Sequence, residues 1–296
     1  MFMNASEELK GSLYIFFSAL MYATLPILGK LAYLAGLGPG SILLLRYCFS
    51  FILLTLFIKL FRKSKVLSLS PLVIAQGVFL TVSGLFYFYA LQTLSAGLTT
   101  VIFFAHPVLV AVLAILIFKE RFVPRLFVGL VLALAGIVLI SGLGANLNGL
   151  SLNGLVFALM ACLFYSFYSL IGQKTLSGTD PLSITATLSL LAVIIIVPLY
   201  SNDLGFLGRL TPQQVWITLA IAVLNTLLAV LFFLKGLQKI GASRATLIST
   251  VEPVLCLLMA YLILGETLNL LELTGSILIL VSMLLAVYSR PQSVSN

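Results

Sequence analysis

The chain has 296 residues, of which 61% are hydrophobic and 8% charged, with a formal net charge of +8 and a mean hydropathy of +1.23. A soluble domain carries roughly 25% charged residues, so this composition excludes a soluble globular protein and implies an integral membrane protein. No polar segment between the hydrophobic runs is long enough to fold as a separate soluble domain.

A helix needs about 20 apolar residues to cross the hydrocarbon. Gly, Pro and charged residues divide the chain into about ten such runs, at 11–33, 40–61, 71–92, 97–118, 125–142, 152–174, 182–200, 213–235, 243–264 and 270–289. The runs are continuous instead of alternating every second residue, which argues against membrane strands. The expectation is an all-α polytopic membrane protein with ten transmembrane helices, and segments 1–10 and 290–296 as short tails. The first run does not read as a cleaved signal, because Glu7 and Glu8 precede it beside Lys10 and its apolar length is that of a full span. Cys48, Cys162 and Cys256 lie inside apolar runs without CxxC or metal-like spacing, so they read as packing residues, with neither a disulfide nor a metal site expected.

With ten spans both termini share one side. That side collects Lys10, Lys59, Arg62, Lys63, Lys65, Lys119, Arg121, Arg125, Lys174, Lys235, Lys239, Arg244 and Arg290, against Lys30 and Arg209 opposite and Arg46 within a span. By the positive-inside rule the N- and C-termini are cytoplasmic. The same distribution removes a nucleic-acid reading of the positive charge, since no basic stripe with interleaved aromatics stands apart from the loops.

The chain is written twice. Residues 90–140, "ALQTLSAGLTTVIFFAHPVLVAVLAILIFKERFVPRLFVGLVLALAGIVLI", align without a gap to "GLQKIGASRATLISTVEPVLCLLMAYLILGETLNLLELTGSILILVSMLLA", 146 residues later. The alignment pairs His106 with Glu252, Pro107 with Pro253, Glu120 with Glu266 and Gly129 with Gly275, and upstream Gly11 with Gly154, Tyr22 with Tyr165 and Gly29 with Gly172. Each copy, 11–142 and 152–289, holds five predicted spans. An odd number makes the copies antiparallel, the inverted-repeat plan of secondary transporters, whose substrate site lies near mid-membrane between the halves.

The strings "AL..LSA..........P...........KE........GL.L...G" and "GLQ..GAS.A......EPV.........LGE........G" resemble the EamA domain of the drug/metabolite transporter superfamily, with "EPV.........LGE" the most specific part. The resemblance covers nearly the whole chain as two tandem units. It implies a ten-helix permease for small metabolites, most often an exporter in the cytoplasmic membrane of a bacterium, with cargo that ranges over amino acids, sugars, nucleotide derivatives and drugs. Glu before the second proline is common in that family, which suits a structural role for Glu252. The first-span acid of the small multidrug-resistance branch is absent from "SALMYATLPILGK".

Ionisable groups inside hydrocarbon are functional candidates because each costs at least a few kcal/mol. His106 and Glu252 lie near mid-membrane at equivalent positions, each before a proline that frees the carbonyl four residues back, at Phe103 and Ser249. Paired helix breaks at Pro107 and Pro253 point to a transport site. Arg46 suits a carboxylate or phosphate, or else bridges to Glu252 or snorkels outward; Lys30 reads as snorkelling. Tyr22, Tyr87, Tyr165 and Tyr168 are candidate walls of a cavity and equally ordinary packing residues. Asn225 and Gln76 are neutral polar groups at depth, able to bond substrate or a neighbouring helix. Glu120 and Glu266 read as helix-start carboxylates. The small-residue pairs Gly129/Ala133 and Ser282/Ala286 allow close helix approach or a homodimer.

The expected function is alternating-access transport of a small-molecule substrate, an amino acid or related metabolite, coupled to a proton gradient. The chain has no catalytic residues or cofactor in this reading. The alternatives are a carrier of drugs or of nucleotide and sugar derivatives, a non-transporting membrane scaffold, and an intramembrane enzyme, which a single His without HExxH or GxSxG supports poorly.

Overall fold

A computed structural model describes residues 5–62, 65–94, 99, 102–118, 123–140, 151–176, 179–259, 261–262 and 270–288. Glu120, Glu266, Lys63, Lys119, Arg121 and Arg290 lie outside the described residues, as does the side chain of Lys30. Among the described residues every regular element is a helix: α1 (Ala5–Tyr22), α2 (Leu25–Leu34), α3 (Pro39–Phe57), α4 (Pro71–Thr93), α5 (His106–Phe118), α6 (Pro124–Ile140), α7 (Leu152–Thr175), α8 (Pro181–Leu199), α9 (Pro212–Ile221), α10 (Ala229–Ile240), α11 (Ala242–Ser249), α12 (Glu252–Met259) and α13 (Leu270–Val287). π-helical turns at Ile58–Arg62 and Ala222–Leu228 continue α3 and join α9 to α10.

Among the described residues seven helical stretches are long and apolar enough to cross a membrane: Ser6–Leu34, Pro39–Phe61, Pro71–Ala90, Leu152–Thr175, Pro181–Leu199, Pro212–Ile240 and Ala242–Met259. Three shorter apolar helices, His106–Ile117, Pro124–Leu139 and Leu273–Leu285, occupy the fourth, fifth and tenth predicted runs. The segment read as an N-terminal tail is helical from Ala5 onward and continuous with α1. Its Glu7 pairs with Lys10 at 2.8 Å and with Lys239, and Glu8 pairs with Arg244 at 3.5 Å.

Local sequence explains where the helices start. Ser70, Asp180 and Thr211 each precede a proline, and their side chains accept hydrogen bonds from the backbone N–H groups of Val73, Ser183 and Gln214. Proline at the first position wastes no donor, because that N–H has no helical partner anyway. Between α10 and α11 the chain turns at Gly241 with φ +78°, where a side chain would be strained.

Polarity is arranged inside out. Leu116, Leu262, Ile277 and Phe61 are exposed, whereas Arg46, Ser50, Gln76, His106, Asn225 and Thr226 are buried. That is the arrangement a bilayer selects, because lipid accepts apolar side chains and the interior must satisfy the polar ones.

The helices pair in a pattern that respects the sequence repeat. α1 packs on α10, α4 on α7, α3 on α8, and α6 on α13. Exchanging the first five runs with the last five converts α1/α10 into α7/α4 and leaves the other two pairs unchanged. The relation holds residue by residue in α6 and α13. A Cβ on Gly136 would lie 2.5 Å from the Gly275 carbonyl oxygen, and one on Gly129 would lie 3.4 Å from the Ser282 carbonyl oxygen. The 146-residue offset carries Gly136 to Ser282 and Gly129 to Gly275, so the two close contacts are counterparts. Gly129 and Ser282, one small residue from each of the pairs noted in these helices, thus meet between α6 and α13 within one chain.

The largest apolar cluster includes Ile15, Val73, Ala114, Leu176, Leu188, Leu237, Ile240 and Ala245 and continues to Tyr168 and Phe233, with Tyr22 and Tyr165 packed against it. The ion pairs of Glu7 and Glu8 tie the start of α1 to Lys239 in α10 and Arg244 in α11.

Gly136→Leu is expected to lower the thermal unfolding midpoint in detergent, through an overpacking cost of about 1–3 kcal/mol where α6 meets α13. Gly84→Ala, with open space beside its Cβ position, is expected to leave the midpoint unchanged or raise it.

Candidate functional site

The first predicted span is broken. Pro26 has no N–H to give the Tyr22 carbonyl; α1 stops at Tyr22 and α2 restarts after a turn at Ala23–Thr24. Beside the break, the Met21 carbonyl accepts from Thr24 N at 3.2 Å, from Thr24 Oγ1 at 2.7 Å and from Asn225 Nδ2 at 2.5 Å, and Asn225 Nδ2 also reaches Thr24 Oγ1 at 2.9 Å. Asn225 stands in the π-helical turn, where the ladder is shifted and carbonyls are released. Ser50 Oγ donates to the Ala222 carbonyl at 3.0 Å, Arg46 Nη2 to the Asn225 carbonyl at 2.9 Å, and Ser18 Oγ to the Ala229 carbonyl at 2.8 Å. Side chains of α1 and α3 therefore bond to carbonyls in the π turn and at the start of α10.

Arg46, 7% exposed, is fixed by this arrangement. Its Nε donates to Thr226 Oγ1 at 2.5 Å, and its guanidinium carbon stands 5.3 Å from the centre of the Tyr47 ring. The Nε/Nη2 edge is occupied, which leaves the Nη1/Nη2 end for a planar anion. Among the described residues Arg46 forms no ion pair with Glu252 or any other acid; the acids that do pair are Glu7 and Glu8. Its burial also differs from a snorkelling arginine.

The fourth and ninth predicted spans break at equivalent places. Turns at 104–105 and 250–251 precede α5 and α12, so His106 and Glu252 are each the first residue of a half-helix. The backbone bonds match as well: Ala105 N to the Ile102 carbonyl and Val251 N to the Ile248 carbonyl, both at 3.2 Å. Pro107 frees the Phe103 carbonyl, and the imidazole of His106 takes it, Nδ1 to oxygen at 2.9 Å. Glu252 has no hydrogen-bond or ion-pair partner among the described residues.

Tyrosines join these groups. Tyr22 lies within electrostatic range of Arg46, Tyr47 and Glu252, and Tyr165 within range of Tyr22 and Glu252. The Tyr165 ring is 4.7 Å from His106 and 5.3 Å from Tyr168, and Phe103 links His106 at 5.2 Å to Tyr87 at 5.1 Å. Tyr22, Arg46, Tyr87, His106, Tyr165, Tyr168, Asn225 and Glu252 thus form one neighbourhood flanked by the breaks at Pro107 and Pro253. Three of its buried polar atoms have no hydrogen-bond partner among the described residues: His106 Nε2, Tyr168 Oη and Asn225 Oδ1. Gln76 lies elsewhere, accepting from Thr175 Oγ1 at 2.9 Å against Gly172.

Sequence reasoning missed Tyr47, Thr226 and the break in the first span. Pro26 in "YATLPILGK" carries a signal for the break, whereas nothing in the sequence singles out Thr226, whose part depends on the π turn. No group of three or more metal-binding side chains occurs among the described residues.

Thr226→Val removes the acceptor of a buried charged hydrogen bond and is expected to cost about 1.5–3 kcal/mol, read as a lower unfolding midpoint in detergent. Thr226→Ser is expected to retain most of the wild-type value.

Comparison with known proteins places this geometry. The profile of the EamA-like transporter family matches residues 9–142 and 152–288. An uncharacterized transporter of Archaeoglobus fulgidus is 27% identical over 256 residues, covering 86% of this chain and 90% of that protein. The threonine/homoserine exporter RhtA of Escherichia coli is 28% identical over 193 residues, covering 63% of this chain and 61% of that protein. A solved crystal structure superposes with a TM-score of 0.80 over 93% of this chain and 96% of its own, at 18% identity, which speaks for the fold alone. The two matched segments together span nearly the whole chain, and the protein belongs to the EamA-like transporter family.

Proposed function

We propose that this transporter exports amino acids or closely related zwitterionic metabolites across the cytoplasmic membrane, coupled to the proton gradient, through ten spans arranged as two inverted halves with both termini in the cytoplasm. The observation that carries the reading is that a guanidinium, Arg46, and an acidic side chain, Glu252, both interact electrostatically with Tyr22 yet form no ion pair with each other. Charges at this depth are costly alone, and a ligand that brings one of each sign compensates both. The free end of the Arg46 guanidinium receives the carboxylate. Glu252 offers the opposite charge to the ammonium group, and Tyr22 and Tyr165 supply aromatic faces beside it. His106 binds substrate or a proton.

A relative that exports threonine and homoserine acts on zwitterions of this kind. A cationic drug brings nothing for Arg46, and a nucleotide derivative brings more negative charge than one guanidinium matches, so both fit this charge pattern less well. Alternating access follows from rocking the halves about the breaks at 104–105 and 250–251. The Glu7 and Glu8 ion pairs favour closure of the end that carries the N-terminus in this conformation. Access is then from the opposite end, and those ion pairs separate in the other state.

The test is flux of labelled threonine, homoserine and other amino acids in proteoliposomes, with and without an imposed pH gradient. Arg46→Lys keeps the charge and loses the two-pronged geometry, so transport is expected to fall by about tenfold or more. Glu252→Gln is expected to fall comparably and to respond less to the pH gradient. Unchanged flux in both variants, with the proteins monodisperse, sinks the proposal.

A further inference from the structure

We propose that His106 is a specificity-determining residue that selects substrates with a hydroxyl group on a short side chain. The inference rests on the amino-acid reading above and adds which amino acids are carried.

The chemistry begins with the break at Pro107. A proline at that position leaves the Phe103 carbonyl without its helical donor, and His106 Nδ1 stands 2.9 Å from that oxygen. A carbonyl only accepts, so Nδ1 carries the hydrogen, and in the neutral ring Nε2 presents a bare lone pair. The helix break thereby fixes the tautomer. Ser166 Oγ, 3.4 Å from the His106 carbonyl, ties the same residue to α7. His106 is 2% exposed, and its Nε2 has no hydrogen-bond partner among the described residues. Its ring neighbours are Phe103, Phe104 and Tyr165, at 5.2, 5.7 and 4.7 Å.

An acceptor buried among aromatic rings calls for a donor from the ligand. Tyr165 provides the geometry, because one side chain lies within range of Glu252 and Tyr22 and also stands against His106. A zwitterion held by Arg46 and Glu252 lies beside Tyr165, and a hydroxyl on its side chain is the donor that the His106 Nε2 lone pair lacks. Tyr168, whose ring is 5.3 Å from that of Tyr165, adds a second buried hydroxyl without a partner among the described residues. A methyl group at the same place satisfies neither atom, and a site that hydrogen-bonds a substrate hydroxyl rejects the analogue lacking it.

The experiment measures, in proteoliposomes, the ratio of threonine flux to 2-aminobutyrate flux, which compares nearly isosteric side chains with and without the hydroxyl. Wild type is expected to favour threonine, and homoserine over norvaline, by about tenfold or more. His106→Leu is expected to bring the ratio close to one, with threonine flux falling further than 2-aminobutyrate flux. His106→Gln, whose amide oxygen replaces the Nε2 acceptor, is expected to restore much of the preference. A wild-type ratio near one overturns the inference by itself, whatever the stability of the variants, and leaves the amino-acid reading standing. A ratio unchanged in His106→Leu also overturns it, including the case where that variant loses only its response to the pH gradient. Absence of flux for every amino acid overturns this inference and the amino-acid reading together.

Discussion

A backbone carbonyl inside hydrocarbon that loses its helical donor must find another one, because no water is there to supply it. This protein breaks its helical ladder at the turns of 23–24, 104–105 and 250–251 and distorts it through the π turn at Ala222–Leu228. At each of these places a side chain takes a carbonyl, Thr250 Oγ1 taking that of Leu247 at the turn of 250–251. Asn225 takes that of Met21, His106 that of Phe103, Arg46 that of Asn225, and Ser50 that of Ala222. The groups with the strongest chemistry in the centre are therefore the ones that repair the backbone. Their orientation follows from that duty: the repair leaves one end of the guanidinium and one nitrogen of the imidazole unused.

Symmetry and asymmetry divide the work. Helix pairing obeys the repeat, down to the matched contacts of Gly136 with Gly275 and of Gly129 with Ser282. Close packing of small residues lets α6 and α13 approach until backbone meets side chain, and van der Waals contact is what holds helices together in lipid. The chemistry departs from the repeat. Imidazole faces carboxylate at the paired positions 106 and 252, the first span has Pro26 where the sixth has Ser169, and the π turn of the eighth span has no counterpart in the third, which is continuous as α4. The frame is thus shared by the two halves, whereas the polar groups at its centre differ between them.

The span boundaries were legible because the bilayer imposes one length and one polarity on every crossing, and Pro, Gly and charge mark the ends. Predicted and observed limits agree within a few residues for most runs. The N-terminal segment departs from this, since Glu7 and Glu8 find Lys239 and Arg244 and extend α1 to Ala5. The residues of the central cluster were legible as well, because buried polar and ionisable groups stand out in an apolar chain. Read from residues alone, however, Arg46 and Glu252 bridging to each other was as reasonable as their standing apart, and Asn225 looked as suited to substrate as to a neighbouring helix. Only the tertiary structure assigned the amide nitrogen of Asn225 to the break in the first span, Thr226 to Arg46, and Nδ1 of His106 to Phe103. Those pairings join α1, α3 and the π turn across separations of up to 204 residues. Periodicity and composition describe each helix against lipid, whereas which donor meets which freed carbonyl depends on how the helices rotate and slide against one another.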